Sequence, residues 1–390
     1  MRVLFWTGIV TMVYAYAGYP AWLCLRCRLW PKPIQRAPAF PQVSVVMVVR
    51  NEARTLPRKL ANLAALNYPS DRIDFVVLSD GSSDGTLDLL RQQVQRHERL
   101  RVISCEESHG KARGLNDCIS CAQGEIVLFT DARQQIEPDA VRLLVENFSD
   151  SSVGCASGEL MLGDPARGES NQGTGLYWAI EKKIRRWESA SGSVVGATGA
   201  LYAARRALLG PIPAGTILDD LYLPMHVVRQ GYRVVFDERA RAWDIPNLGE
   251  KREFSRKVRT LNGNYQMLQL APWLLGCSNP IRFEFVSHKL MRLLIPLALI
   301  VILFSSLLAD GAFFRGLLIL QLGFYALSLL GMSNTVRRGV LGRAMDTAST
   351  FVMLNAAASL AFVYWVAGRN VVWAQAGREV PSPLKTSEMP

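Results

Sequence analysis

The chain has 390 residues, 49% hydrophobic and 20% charged, with 44 Lys+Arg against 33 Asp+Glu for a formal net charge of +11. So much apolar sequence excludes a disordered chain. A mean hydropathy of +0.12 beside a pI near 9.5 argues against a nucleic-acid partner, because a membrane protein gathers Lys and Arg at its cytoplasmic boundaries.

Residues 3 to 25 carry no charge, which at 1.5 Å rise per residue is enough to cross a hydrocarbon core of about 30 Å. Arg26, Arg28, Lys32 and Arg36 follow this run and only Arg2 precedes it. The positive-inside rule therefore puts the N-terminus outside and the following soluble part in the cytosol. Ala15-Tyr16-Ala17 resembles a signal-peptide cleavage site, but apolar sequence continues to Leu25 and cleavage would export the basic cluster. A retained span is the expectation.

From Val43 the chain alternates short β-branched runs with helical patterns. VSVVMVV precedes a helix through Leu56, Leu60 and Leu63; IDFVVLS precedes Thr86 to Val94; RVIS precedes Lys111 to Ala122; EIVLF precedes Pro138 to Phe148. That order predicts an α/β domain over residues 42–265, built on a mostly parallel sheet covered on both faces. Ligands of such sheets bind at the carboxyl ends of the strands, where Asn51-Glu52, Asp80 and Thr130-Asp131 fall. No Gly-x-Gly-x-x-Gly follows the first strand and no Gly-x-x-x-x-Gly-Lys-Ser/Thr occurs, which removes the main support for a dinucleotide oxidoreductase or a P-loop ATPase.

Residues 266–283 are apolar but broken by Pro272 and Pro280, which reads as an interfacial segment over 266–289 lying along a bilayer. Uncharged runs at 293–309, 316–336 and 347–368 predict three further spans within 290–368. His288, Lys289 and Arg292 precede the first of them, Asp310 and Arg315 cancel, and Arg337, Arg338 and Arg343 mark the next loop as cytosolic. The tail 369–390 then falls outside, with Arg369 and Arg378 opposing weakly. The whole reads as an integral protein of a bacterial inner membrane with its soluble domain in the cytosol.

The seven cysteines include two Cys-x-x-Cys pairs, Cys24/Cys27 and Cys118/Cys121, too far apart for the four ligands of one zinc module. Reduced thiols are expected, with Cys118 and Cys121 facing a core at helical spacing.

Asp80-Gly81-Ser82-Ser83-Asp84-Gly85 puts two carboxylates on a turn of small residues. A base and ribose can approach such a turn while a carboxylate accepts their donors, although an ordinary helix-capping turn has the same pattern. Together VSVVMVVRNEARTL, VVLSDGSSDGT, SHGKARGLN, FTDARQQIEPD, GATGALYAARR, LDDLYLPMHVVRQGYRV and EFSRKVRTLNGNYQ, in this order between apolar spans, resemble the processive-type family two glycosyltransferases of the GT-A fold. Hyaluronan, chitin-oligosaccharide, poly-N-acetylglucosamine and cellulose synthases are of this kind. The resemblance covers roughly residues 41 to 270 and extends to the C-terminal spans.

The resemblance implies a membrane-embedded inverting glycosyltransferase, a hexosyl- or N-acetylhexosaminyltransferase of polysaccharide or glycolipid biosynthesis. It would take a UDP-sugar donor and a glycan or lipid-linked acceptor beside the lipid bilayer. Asp80 and Asp84 would hold the nucleoside with Asn51 and Glu52 beside it, Lys111 would lie near the diphosphate, and Asp131 would open the Asp-x-Asp motif that binds Mg²⁺ or Mn²⁺. The chain departs from that motif, since Arg133 stands where the second Asp belongs, and a guanidinium there either supplies charge to the diphosphate or excludes the ion. Of the acidic pair Asp219-Asp220, Asp220 matches the general base. Gly196 to Gly199 would form the floor under the acceptor, with Gly199 closing it. Arg259 matches the Arg of Gln-x-x-Arg-Trp and would hold the departing diphosphate, while Arg256 replaces the Gln and Thr260 the Trp. Trp243, Tyr265 and Trp273 are then the aromatic candidates for sugar stacking. The basic stretch Lys251, Arg252, Arg256, Lys257 and Arg259 also suits anionic lipid headgroups. The two broken motifs leave an alternative open, a membrane protein that binds a nucleotide sugar without turning it over.

Overall fold

The computed structural model describes residues 1–95, 97–164, 169–170, 175–244, 250–332 and 339–368. Arg337, Arg338, Arg369, Arg378 and the tail 369–390 lie outside the described residues, as do the side chains of Lys251 and Arg252.

The β-branched runs become strands. In chain order these are β1 (Val43–Val49), β2 (Ile73–Asp80), β3 (Leu100–Cys105), β4 (Ile126–Thr130), β5 (Gln135–Ile136), β6 (Val153–Asp164), β7 (Glu169–Ser170), β8 (Leu201–Arg205) and β9 (Arg233–Asp244). They order as β3-β2-β1-β4-β8-β6-β9-β5, with β7 paired to β6. The first four are mutually parallel, in a register that sets Val46 opposite both Val76 and Phe129. β8 then runs antiparallel to β4 and β6 antiparallel to β8, while β9 lies parallel to β6. Two reversals restore the direction, so the carboxyl end of β9 reaches the same sheet edge as those of β1, β2 and β4.

All seven residues of β1 are buried, as a strand covered on both faces requires. Val46 and Val48 pack with Leu78 and Phe129 against Ala112, Leu115 and Cys118 of the helix Lys111–Cys121. Val43 and Val45 face Val141, Leu144 and Val145 of the helix Ala140–Glu146 on the other side, while Met47 and Val49 meet Leu56 and Leu90. Each such side chain contributes about 1.5–3 kcal/mol on burial, so the faces of the sheet are held firmly and the loops at its carboxyl edge are left to carry polar groups. All seven cysteines are free; Cys118 is buried as expected, but Cys121, the last residue of its helix, is exposed.

Among the described residues three helices are long and apolar enough to cross a membrane, Arg2–Leu29, Ala312–Met332 and Leu341–Val366. A fourth span results if Arg282–Leu293 and Ile295–Leu308, bent by 51°, count as one. The bend falls just before Pro296, which lacks the N–H that would continue the preceding helix. The segment that follows residue 265 begins inside the helix Glu250–Leu270 and then passes through a 3-10 turn, Pro272–Leu275. Val258 and Tyr265 of that helix pack on the small residues Ala357 and Ala361, Phe5 meets Ile302 and Phe314, and Tyr19 and Leu23 meet Ile184. The apolar helices and the α/β domain thus share packed interfaces at both ends of the chain.

Candidate active site

The edge where β1 and β2 end is laced by side chains that hold backbone. Asp80, fully buried, accepts hydrogen bonds from Ser108 Oγ at 2.7 Å and from the N–H groups of His109 and Gly110 at 2.7 and 3.0 Å. Gly81 follows at φ +62°, and a Cβ there would lie 2.6 Å from the Ser108 nitrogen, so only glycine admits this approach. Asp84 accepts from the N–H groups of Ala53 and Thr86 at 3.0 and 3.1 Å. Burial opposes the charge on Asp84, but these bonds and one from the Thr86 hydroxyl outweigh it and hold the carboxyl below its ordinary range. Asn51 has φ 55° and accepts from the Ser83 N–H at 2.8 Å, a left-handed position that Asn tolerates. The Glu52 N–H donates to Thr86 Oγ1 at 2.9 Å. These four residues meet in one rim, with Asn51 and Asp84 exposed.

Deeper in, Lys111 Nζ lies 3.0 Å from Asp131 Oδ1 and 3.3 Å from Asp219 Oδ1, joining the end of β4 to the first turn of the helix Asp219–Arg229. Burial would lower the Lys111 pKa, but the two carboxylates overcome it and hold the ammonium charged. The Gly199 N–H donates to Asp220 Oδ2 at 3.1 Å and the Ala197 N–H to the Asp220 carbonyl at 2.7 Å. A Cβ on Gly199 would stand 2.8 Å from that same Oδ2. Desolvation, then the neighbouring Asp219, push the Asp220 carboxyl up to about 6, against the pull of Lys111. A carboxylate in this setting is a base poised to accept a proton near neutral pH.

Arg259, on the helix Glu250–Leu270, makes no hydrogen bond or ion pair among the described residues. Burial lowers its pKa while the charges of Asp131, Asp219 and Asp220 act in the opposite sense. Arg133 turns to Asp244, whose Oδ2 it meets at 2.5 Å, and Arg256 reaches the same oxygen at 3.5 Å. Two of the expected residues, Arg133 and Arg256, therefore meet on one carboxylate that no motif marks. Asp244 ends β9 at the carboxyl edge, a position that becomes apparent only once the two reversals in the sheet are known.

Lys59 supports the site from below without belonging to any of the motifs. It is 1% exposed and donates to Thr130 Oγ1 at 2.8 Å and the Gln134 carbonyl at 2.7 Å, so it props the loop that carries Asp131. Burial pushes its pKa down to about 7. The signal was present, since Lys59 falls on the apolar stripe Leu56, Leu60, Leu63 of its helix. Behind the Gly196–Gly199 floor, Arg185 donates to Thr198 Oγ1 at 2.6 Å. On the same helix Glu188 accepts from the Tyr19 hydroxyl at 2.6 Å and meets His288 Nδ1 at 2.8 Å, while Glu181 meets His288 Nε2 at 3.0 Å. This buried network ties the floor to the apolar helices. The aromatic candidates are engaged elsewhere: Trp243 donates to Glu137 at 2.8 Å, Tyr265 stacks on Trp365 at 5.5 Å, and Trp273 lies under the Arg229 guanidinium at 5.0 Å.

Residues 44–211 match the model of glycosyl transferase family 2. The chain is 25% identical to the beta-monoglucosyldiacylglycerol synthase of Synechocystis sp., across 76% of this chain and 67% of that one. It is 23% identical to the poly-beta-1,6-N-acetyl-D-glucosamine synthase of Staphylococcus aureus, across 63% and 60% respectively. The chain thus matches roughly two thirds of the length of these relatives. Among solved structures, a mannosyltransferase of Pyrobaculum calidifontis in complex with GDP-Man and Mn2+ superposes with a TM-score of 0.73 at 23% identity, covering 94% of this chain and 99% of that one. The shared architecture is the GT-A fold.

Proposed function

From a glycosyltransferase that carries a family 2 domain, we propose a membrane-embedded inverting enzyme that moves a sugar from a UDP-sugar to a glycan or lipid-linked acceptor. The observation that carries the reading is Asp220, held by the Gly199 N–H and raised to about 6 beside Asp219. In the proposed reaction Asp220 takes the proton of the acceptor hydroxyl as its oxygen attacks C1 of the donor sugar. The attack comes from the face opposite the leaving UDP, so the new bond has inverted configuration. Arg259, uncommitted to any partner among the described residues, receives charge on the departing diphosphate. The rim of Asn51, Glu52, Asp80 and Asp84 holds the nucleoside, with the buried Asp80 fixing the 108–110 turn and the exposed Asp84 nearer the ligand.

The network of Tyr19, Glu188 and His288 brings the acceptor floor against the apolar helices. A lipid-linked acceptor entering from a bilayer would meet Asp220 at that seam. The bilayer proposed is a bacterial inner membrane with the catalytic domain cytosolic, as Arg26, Arg28, Lys32 and Arg36 favour. Purified protein in nanodiscs, given a panel of UDP-sugars, GDP-mannose and lipid acceptors, tests the reading. Donor-selective UDP release lost in Asp220→Asn supports it, whereas GDP release alone moves the donor class and equal release by the variant removes the base assignment.

A further inference from the structure

Resting on the donor reading above, we infer that this site holds its nucleotide diphosphate with cationic side chains alone, in a place where the chain's own residues exclude a divalent ion. A divalent ion at a diphosphate completes its shell with waters and phosphate oxygens but still needs one or two free carboxylates from the protein. The strand end offers Asp131 followed by Ala132 and Arg133. The Asp131 carboxylate is already bound at 3.0 Å by Lys111, whose ammonium stands between it and Asp219 at 3.3 Å. An ion bridging these two carboxylates would have to expel that ammonium. Lys59 lies beneath the same loop, where Asp131 supports its charge against burial.

Asp131, Asp219 and Asp220 do not converge as a ligand set. Among the described residues one group of three His, Cys, Asp or Glu side chains does, Asp80 with Cys105 and His109. It lies at the nucleoside end, and its carboxylate already accepts three hydrogen bonds. The residues present do not fit a diphosphate-bound divalent ion.

They do fit the diphosphate itself. Arg133 and Arg256 share one oxygen of Asp244 at 2.5 and 3.5 Å, and Arg259 has no partner among the described residues. Arg133 and Arg256 are tied to a single carboxylate between them and Arg259 to none among the described residues, so guanidinium donors remain for the phosphate oxygens of a nucleoside diphosphate sugar. Each guanidinium carries five N–H donors in a planar fork that suits phosphate oxygens, so sharing Asp244 leaves donors over. Asp244 then acts as a positioning residue, holding Arg133 and Arg256 side by side.

The test is equilibrium binding of UDP to the full-length protein in nanodiscs, with EDTA or with millimolar Mn²⁺, beside thermal midpoints that verify folding. We expect the same Kd within about threefold in both conditions. Arg133→Ala should weaken UDP in EDTA by roughly 10- to 100-fold, the scale of one or two lost charge-assisted hydrogen bonds, with Arg133→Lys recovering part of it. Binding that vanishes in EDTA and returns with Mn²⁺ overturns the inference while leaving the donor reading intact. Unchanged affinity in a folded Arg133→Ala overturns the part given to Arg133. No UDP binding in either condition overturns the donor reading, and this inference with it.

Discussion

Asp220→Asn separates chemistry from stability in a single substitution. The carboxyl rises from an ordinary 3.8 to about 6 through desolvation and the charge of Asp219, a gap equivalent to about 3 kcal/mol at 1.36 kcal/mol per unit. Asp220 is only half-buried, and solvent screening brings the expected effect to about 1–2 kcal/mol. The sign follows from linkage. A folded-state pKa above the unfolded one gives stability that is fully present below pH 3.8 and lost as pH rises through about 6. The amide keeps an acceptor for the Gly199 N–H but carries no charge, so the variant should be more stable than the parent at pH 7.5 by about 1–2 kcal/mol, an advantage that shrinks to nothing near pH 4. The same substitution should lower kcat by roughly 10²–10⁴-fold, the range for loss of a general base. Wild-type kcat/KM should fall on the acid side with an inflection near 6, where Asp220 takes up its proton. Thermal unfolding of nanodisc-held protein at both pH values, with single-turnover UDP release, measures all three. A variant that is less stable at pH 7.5, or one that keeps full turnover, overturns the assignment of Asp220.

Gly199→Ala puts a Cβ 2.8 Å from Asp220 Oδ2; displacing the base should lower kcat at least tenfold while UDP affinity, read at the rim, stays within about twofold. Lys59→Met leaves the Gln134 carbonyl without its donor but removes a buried amine whose charge burial disfavours. These effects offset in stability, so the midpoint should move little while the loosened 131–134 loop weakens UDP binding by about tenfold, by calorimetry. Glu188→Ala strips the Tyr19 hydroxyl and the Val195 N–H of their acceptor, and thermal unfolding in detergent should show a loss of about 2–5 kcal/mol. Tyr19→Phe, which leaves Glu188 its bonds from Val195 and His288, should cost less than half of that by the same assay.

The layered α/β domain is legible in the sequence, because β1 and β4 are almost continuously apolar and fully buried, as cover on both faces requires. So are the apolar helices, since length and absence of charge suffice for these, and the sequence marks Asp80, Asp84, Lys111, Asp131, Asp219 and Asp220 as polar groups at strand and helix ends. Spacing along a chain does not reveal which of these groups meet. Packing in three dimensions sets Lys111 between Asp131 and Asp219, 20 and 108 residues away. Only the reversals through β8 and β6 brought Asp244 to the edge where Arg133 and Arg256 converge on it. Tyr19, Glu188 and His288 likewise read as an apolar-span tyrosine, a helix-face acid and a boundary base until packing joins them. Charge is a through-space quantity, so the electrostatics of the site follow from the fold and not from the order of its motifs.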